Sequence, residues 1–279
     1  MNTTTATTTT PTPGSVLAPL WDDYLTLNTQ AEAITRLLRE RGDDFLNDHI
    51  ALRTYDRAPI GLEAMAAPFE AAGWVARGDY DFAVKKLRAK HYEHATDPSQ
   101  PKVFISELRT AEFSAEVQAA IDGLVGQLPA GFTDDPAWVH AGRPWQVSAA
   151  TYERLAAESE YAAWVAAFGF RANHFTVDVA TLRSFAGIAE LNAFLEANGY
   201  ALNESGGRVK GSPDVLLEQS STLADRVEVT FTDRAMTIPA CYLEFALRYP
   251  LPDGTLYQGF VAASADKIFE STHRAAHGG

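Results

Sequence analysis

The chain has 279 residues, 46% of them hydrophobic and 21% charged, enough to bury a large core as one domain or as two fused modules. Its formal charge of −13, with 23 scattered Lys and Arg residues, excludes a nucleic-acid or anionic-membrane surface, because phosphate binding needs clustered cations. A single cysteine, Cys241, excludes an intrachain disulfide and fits a reducing cytoplasm; no apolar run is long enough to span a membrane, and no signal-peptide pattern opens the chain.

Residues 1 to about 14 are Thr-rich, have nothing to bury, and are expected to form a disordered tail. From Pro19 to Arg41 the apolar positions Leu20, Tyr24, Leu25, Ile34, Leu37 and Leu38 approximate helical spacing and predict one helix or two short ones. A strand follows from His49 to Tyr55 and stops at the turn signal Asp56-Arg57-Ala58-Pro59. Next comes a helix with Leu62, Met65, Phe69 and Ala72 on one face and Gly73 as its cap. Trp74–Ala76, Phe82–Leu87 and Lys102–Leu108 read as strands, completing a β-α-β-β-β unit.

Residues 111–170 read as a helical insert rich in Ala and aromatics, among them Trp138, Trp145, Trp164, Phe168 and Phe170. The first order then repeats. A strand from His174 to Val179 precedes a helix from Ile188 to Ala197 that closes at Asn198-Gly199, and Tyr200–Leu202, Val227–Phe231 and Tyr242–Arg248 read as strands. In the last strands of the two units, Glu107 answers Glu244. The predicted fold is α+β, with duplicated β-α-β-β-β modules at about 45–110 and 171–250. Both belong to a single catalytic domain, 15–272, which also holds the N-terminal helices, the insert and a C-terminal segment 251–272; residues 273–279 form a second tail.

The duplication also locates chemistry. His49 and His174 open alternating apolar strands at matching places, and Glu244 lies inside an apolar strand where an unpaired carboxylate is costly. Two imidazoles and one carboxylate on rigid strands can hold one face of an octahedral divalent ion and leave positions for substrate and dioxygen. The competing reading makes both histidines hydrogen-bonded core residues and pairs Glu244 with an arginine such as Arg248; the repeat favours the metal. His91 and His94 lack the spacing of a zinc helix and are expected at the surface or beside the site, and His140 is expected to be structural.

The segments Asn47–Arg53, Gly207–Ser212, Leu216–Ser221 and Gly259–Asp266 resemble the DUF1338 family, whose characterised members are 2-oxoadipate dioxygenase/decarboxylases, also called 2-hydroxyglutarate synthases. The resemblance runs from about Leu20 to Thr272. It implies a curved sheet related to the vicinal-oxygen-chelate superfamily, Fe(II) held by His49, His174 and Glu244, and a substrate-carboxylate arginine at Arg53. Four residues along a strand return Arg53 to the face of His49, roughly 13 Å away. Pocket residues late in the chain would fall at Val261 and Ser264, while Gln219 and Ser221 are further candidates near a bound oxo acid. Arg208 and Lys210 lie in a Gly-rich loop that could act as a lid. The implied reaction takes O2 and a 2-oxo diacid, foremost 2-oxoadipate, releases CO2, and hydroxylates the shortened acid on its own chain to give 2-hydroxyglutarate. Two rivals are a dioxygenase of the same fold acting on an aromatic 2-oxo acid and a metal-free small-molecule-binding protein.

Overall fold

The computed structural model describes residues 11–273. Its first helix, α1 (Pro13–Leu27), begins inside the expected tail, because the Thr12 side chain caps it in a reciprocal box with Ser15 and Pro13 supplies a pre-set first turn. The remainder of that tail, 1–10, and residues 274–279 of the second lie outside the described residues. Asn28 separates α1 from α2 (Thr29–Glu40): its side chain accepts from the Ala31 N–H at 3.2 Å and donates to the Tyr24 hydroxyl at 2.7 Å. Tyr24 in turn donates to the carbonyl of Tyr242 at 2.7 Å, tying the N-terminal helices to a central strand.

The first module consists of β1 (Asn47–Tyr55), α3 (Leu62–Ala71), β2 (Trp74–Phe82), β3 (Leu87–His94) and β4 (Lys102–Leu108). The insert supplies α4 (Ala115–Val125), α5 (Ala149–Glu158) and α6 (Glu160–Phe168). The second module has β5 (Ala172–Asp178), α7 (Ile188–Ala197), β6 (Lys210–Ser212), β7 (Leu217–Ser221), a hairpin of β8 (Arg226–Thr230) and β9 (Ala235–Pro239), and β10 (Tyr242–Arg248). A last helix, α8 (Ala262–Ile268), runs into a single tight turn, Phe269–Thr272. Among the described residues no helix is long and apolar enough to cross a membrane.

Eight strands form one curled sheet in the order β2-β3-β4-β1-β5-β10-β7-β6. Read outward from its centre, each half has the same sequence of roles: β1 and β5 pair antiparallel in the middle, each carries a parallel neighbour, β4 or β10, and each half ends in an antiparallel pair. The duplicated architecture is therefore present, but its outer strands differ from the expectation. In the second module Tyr200–Leu202 contributes only an isolated bridge, Leu202 to Thr222, and Val227–Thr230 belongs to the β8–β9 hairpin outside the main sheet. The sheet uses β6 and β7 instead. Their residues are largely polar although buried (Lys210, Gln219, Ser220 and Ser221), so apolar alternation does not mark them. In the first module residues 83–86 form the turn between β2 and β3, with Lys86 at φ 55°, where a strand was expected; β3 follows, in a Lys-His-Tyr-Glu-His run too polar for apolar alternation to mark it.

Part of the insert's aromatic content packs within the insert, where Trp138 and Trp145 meet Phe170 at centroid distances of 4.8 and 5.3 Å, and part packs on the sheet, where Trp145 stacks on Tyr55 and Trp164 donates to the Ala240 carbonyl. Every residue of α6 except Glu160 is buried. Gly169 carries the chain from α6 into β5 at φ +69°, in a bridge where Gly142 and Phe170 exchange backbone hydrogen bonds. A Cβ there would lie 2.2 Å from the Gly142 carbonyl oxygen, so only glycine fits at this entry to the His174 strand.

Candidate metal centre

Three adjacent strands bring the predicted triad together. In the β1–β5 register His49 sits opposite Thr176, and in the β5–β10 register Glu244 sits opposite the same Thr176, with His174 two residues earlier on β5. Period-2 alternation then puts all three side chains on one face. His49, His174 and Glu244 are each at most 4% exposed, and their ligand atoms lie within 4.8 Å of one another. Glu244 Oε1 is 3.6 Å from His49 Nε2, and its Oε2 is 3.2 Å from His174 Nε2.

The ring orientation follows from the residue before each histidine. His49 Nδ1 lies 2.7 Å from Asp48 Oδ1, and His174 Nδ1 lies 3.1 Å from Asn173 Oδ1. Each oxygen takes the Nδ1 proton, which leaves the Nε2 lone pair directed at the centre, the arrangement by which metal-ligating histidines are usually fixed. Burial alone would raise the Asp48 carboxyl, but the Arg248 guanidinium and the His49 contact outweigh it and hold Asp48 well below the usual range. Arg248 grips Asp48 through two bonds, Nε to Oδ2 at 2.5 Å and Nη2 to Oδ1 at 2.9 Å. The partner of Arg248 is thus Asp48 and not Glu244, against the competing reading.

Burial lowers the pKa of both imidazoles, that of His174 well below its ordinary value, so both rings are kept in the neutral, ligating form. Burial pushes Glu244 up to about 8 against the bond it accepts from Gln219 Nε2 at 2.6 Å, and its Oε2 accepts no hydrogen bond. Two nitrogen lone pairs and a buried carboxylate thus face one another with nothing positive between them. A divalent cation fits this donor set; without one, Thr176 Oγ1 stands 3.1 Å from His49 Nε2 and Glu244 Oε2 is left without a donor. The cavity beside the triad is small, about 20 Å³, and is closed by Phe104, Tyr242 and Phe260 with Ala265, Ile268 and Phe269 of the C-terminal segment.

The remaining candidates scatter around this centre. Arg53 is buried on β1 among Tyr161, Trp164 and Phe269, with its guanidinium carbon 5.2, 5.1 and 5.4 Å from the ring centroids. Its Nη1 donates to Thr272 Oγ1 at 3.3 Å and the Tyr242 hydroxyl stands beside the guanidinium, while Nε and Nη2 have no acceptor within hydrogen-bond distance. Gln219 touches Glu244, but Ser221 bonds Ser271 at 2.8 Å and so anchors the C-terminal turn. Val261 and Ser264 stand at the first turn of α8 and do not line the triad cavity. Lys210 is a buried strand residue donating to the Asn203 carbonyl, and Arg208 pairs with Glu196 and Glu204 at the surface. His91 is buried between Tyr80 and Glu93, while His94 packs on Trp74. Sequence reasoning gave no role to Asp48, Asn173, Thr176, Tyr242 or Phe260. A hydrogen-bond acceptor directly before each of two matching histidines was the available signal for the first two.

The proposed equivalence of Glu107 and Glu244 fails on register. Glu107 pairs with Thr54, five residues beyond His49 and hence on the opposite face, where it accepts from the Leu62 N–H at 2.7 Å and from Arg88. The position that answers Glu244 is Phe104, opposite Ala51, two residues after His49 just as Thr176 is two after His174.

A family profile described as 2-oxoadipate dioxygenase/decarboxylase matches residues 11–134 and 132–255. A curated relative from Oryza sativa subsp. japonica, named 2-oxoadipate dioxygenase/decarboxylase, chloroplastic/amyloplastic, is 35% identical over 283 aligned positions, covering 92% of this chain and 78% of the relative. The crystal structure of the hydroxyglutarate synthase in complex with 2-oxoadipate from Oryza sativa superposes with a TM-score of 0.90 at 32% identity, covering 100% of both chains. A Shewanella frigidimarina NCIMB 400 structure, described only as a candidate hydrolase, gives 0.85 at 53% identity over 90% of this chain and 98% of that one. Fold, site and sequence agree, and the chain belongs to the 2-oxoadipate dioxygenase/decarboxylase family.

Proposed function

We propose that this protein is an Fe(II)-dependent dioxygenase/decarboxylase that converts a 2-oxo dicarboxylic acid, foremost 2-oxoadipate, with O2 to 2-hydroxyglutarate and CO2. The observation that carries this reading is the convergence of His49, His174 and Glu244 from three strands, in a chain 35% identical to the rice relative. Bound Fe(II) would supply a chelation site for the 2-oxo acid and the means to activate dioxygen.

The protein's own residues do the rest. Asp48 and Asn173 aim the imidazoles, Gln219 orients Glu244, and the apolar wall of Phe104, Phe260 and Ile268 keeps water from the reacting end. Arg53 offers two buried, unpartnered N–H groups for the far carboxylate, a charge-assisted contact that fixes the chain for reaction. Tyr161 and Trp164 of the insert flank Arg53, but the buried guanidinium itself favours a dicarboxylate over an aromatic 2-oxo acid, which has no second carboxylate to place there. We take residues 15–272 as the catalytic domain and, from the single buried Cys241, a reducing cytoplasm as its setting.

The test is anaerobic reconstitution with Fe(II), then oxygen uptake and CO2 release across 2-oxo diacids of different length. Arg53→Ala is expected to lower kcat/KM by about 10- to 100-fold, the scale of a lost charged contact, while keeping its iron. Loss of iron equal to that of His49→Ala would refute the role given to Arg53. Absence of oxygen uptake by the iron-loaded wild type with every 2-oxo diacid would refute the function.

A further inference from the structure

Two cavities approach each other across one side chain. The triad cavity, about 20 Å³, has room for little more than an ion or a water molecule and cannot hold a six-carbon diacid. The second, about 340 Å³, has Arg53, Tyr161 and Thr272 in its wall, with Lys85 and Lys86 and no member of the triad. Phe269 is the one residue common to both linings among the described residues. Its ring packs on the Arg53 guanidinium at 5.4 Å and stands edge-on to Phe82 at 5.3 Å, and it is 8% exposed.

The segment that carries Phe269 is held by contacts that can be exchanged. Phe269 follows α8 directly and opens the Phe269–Thr272 turn. Ser271 is tied to Asn203 at 2.9 Å and Ser221 at 2.8 Å, and Thr272 accepts from Arg53 at 3.3 Å. Lys85 reaches Asp266 and Glu270 at 3.7 Å each. Between the triad and Arg53 stand two rings: Tyr242, stacked on His174 at 4.6 Å and lining the triad cavity alone, and Phe269, which lines both cavities.

We propose that the larger cavity is the outer chamber of the active site and that Phe269 is the partition that swings aside for the substrate and sets the length of diacid accepted. This rests on the dicarboxylate reading above. The carboxylate would take the free Nε and Nη2 of Arg53, and the methylene chain would lie where the ring now packs. Removing the ring would merge the chambers and relax the fit at the distal end.

The experiment compares wild type, Phe269→Ala and Phe269→Leu, each checked for native circular dichroism and iron content. In oxygen uptake, the ratio of kcat/KM for the seven-carbon to the six-carbon 2-oxo diacid should rise at least about tenfold in Phe269→Ala, the scale of one methylene, with Phe269→Leu between. Calorimetric titration of the metal-free proteins with glutarate, adipate and pimelate reads the chamber without turnover, and the preferred length should move up by one methylene or more. An unchanged length profile in both variants, or no diacid binding to the wild type, overturns the proposal. A shifted binding profile in a protein that consumes no oxygen would refute the enzymatic function while leaving Phe269 as the partition.

Discussion

At the scale of single residues, Asp48 joins the site to the framework. It takes the Nδ1 proton of His49 and two bonds from Arg248, which also donates to the carbonyls of Tyr257 at 3.1 Å and Gly259 at 2.7 Å. Asp48→Asn keeps the shape but removes the charge. Metal affinity should fall by about 10- to 100-fold, the usual consequence of disturbing the group that orients a ligating histidine. Unfolding stability should drop by about 3–5 kcal/mol, because the buried Arg248 loses its counter-charge. Metal titration and denaturant unfolding measure the two effects separately, and an unchanged metal affinity would show that Asp48 serves Arg248 alone. His49 and His174 were legible in the sequence because a polar group recurs at the same place in two apolar strands; Phe269 was not, because a phenylalanine after a short helix looks like any core residue.

At the scale of elements, legibility followed hydrophobic patterning. β4, α7 and β10 were read with the observed bounds, since β4 and β10 are almost wholly buried and α7 ends at a clear Asn-Gly stop. β7 escaped because it presents Gln219 and Ser221 to Glu244 and the C-terminal turn, so the chemistry of the site replaced the apolar signal of a strand. The α6–β5 junction is the element on which the site's geometry leans most. Gly169→Ala should cost at least about 2 kcal/mol, from the left-handed backbone and the clash with Gly142. It should also weaken metal retention, because β5 carries His174. A thermal melt together with metal analysis checks both, and full stability in the variant would mean that the junction relaxes freely.

At the scale of the whole molecule, the candidate ion site straddles the seam between two copies of one module. His49 comes from the first, His174 and Glu244 from the second, and the position that would complete the symmetry holds Phe104. A divalent ion held there would have three protein ligands, which would leave part of its octahedron open. An ion bound there links β1, β5 and β10 only in the folded state, so it stabilises by mass action. Divalent metal at about 100 times its Kd should add about 2.7 kcal/mol to the unfolding free energy. A chelator should remove that increment, and His49→Ala should show none of it; an equal metal-induced shift in that variant would place the ion elsewhere.

The sequence by itself determined the duplicated α+β plan, the three residues that meet at the centre and the family resemblance, because each is written locally as a repeat, a residue type or a motif. Tertiary structure alone decided that Phe104 and not Glu107 answers Glu244, that Arg248 belongs to Asp48, and that Phe269 lines two cavities. Each depends on which strands are neighbours and in what register, and a one-residue slip in register moves a side chain to the other face of the sheet.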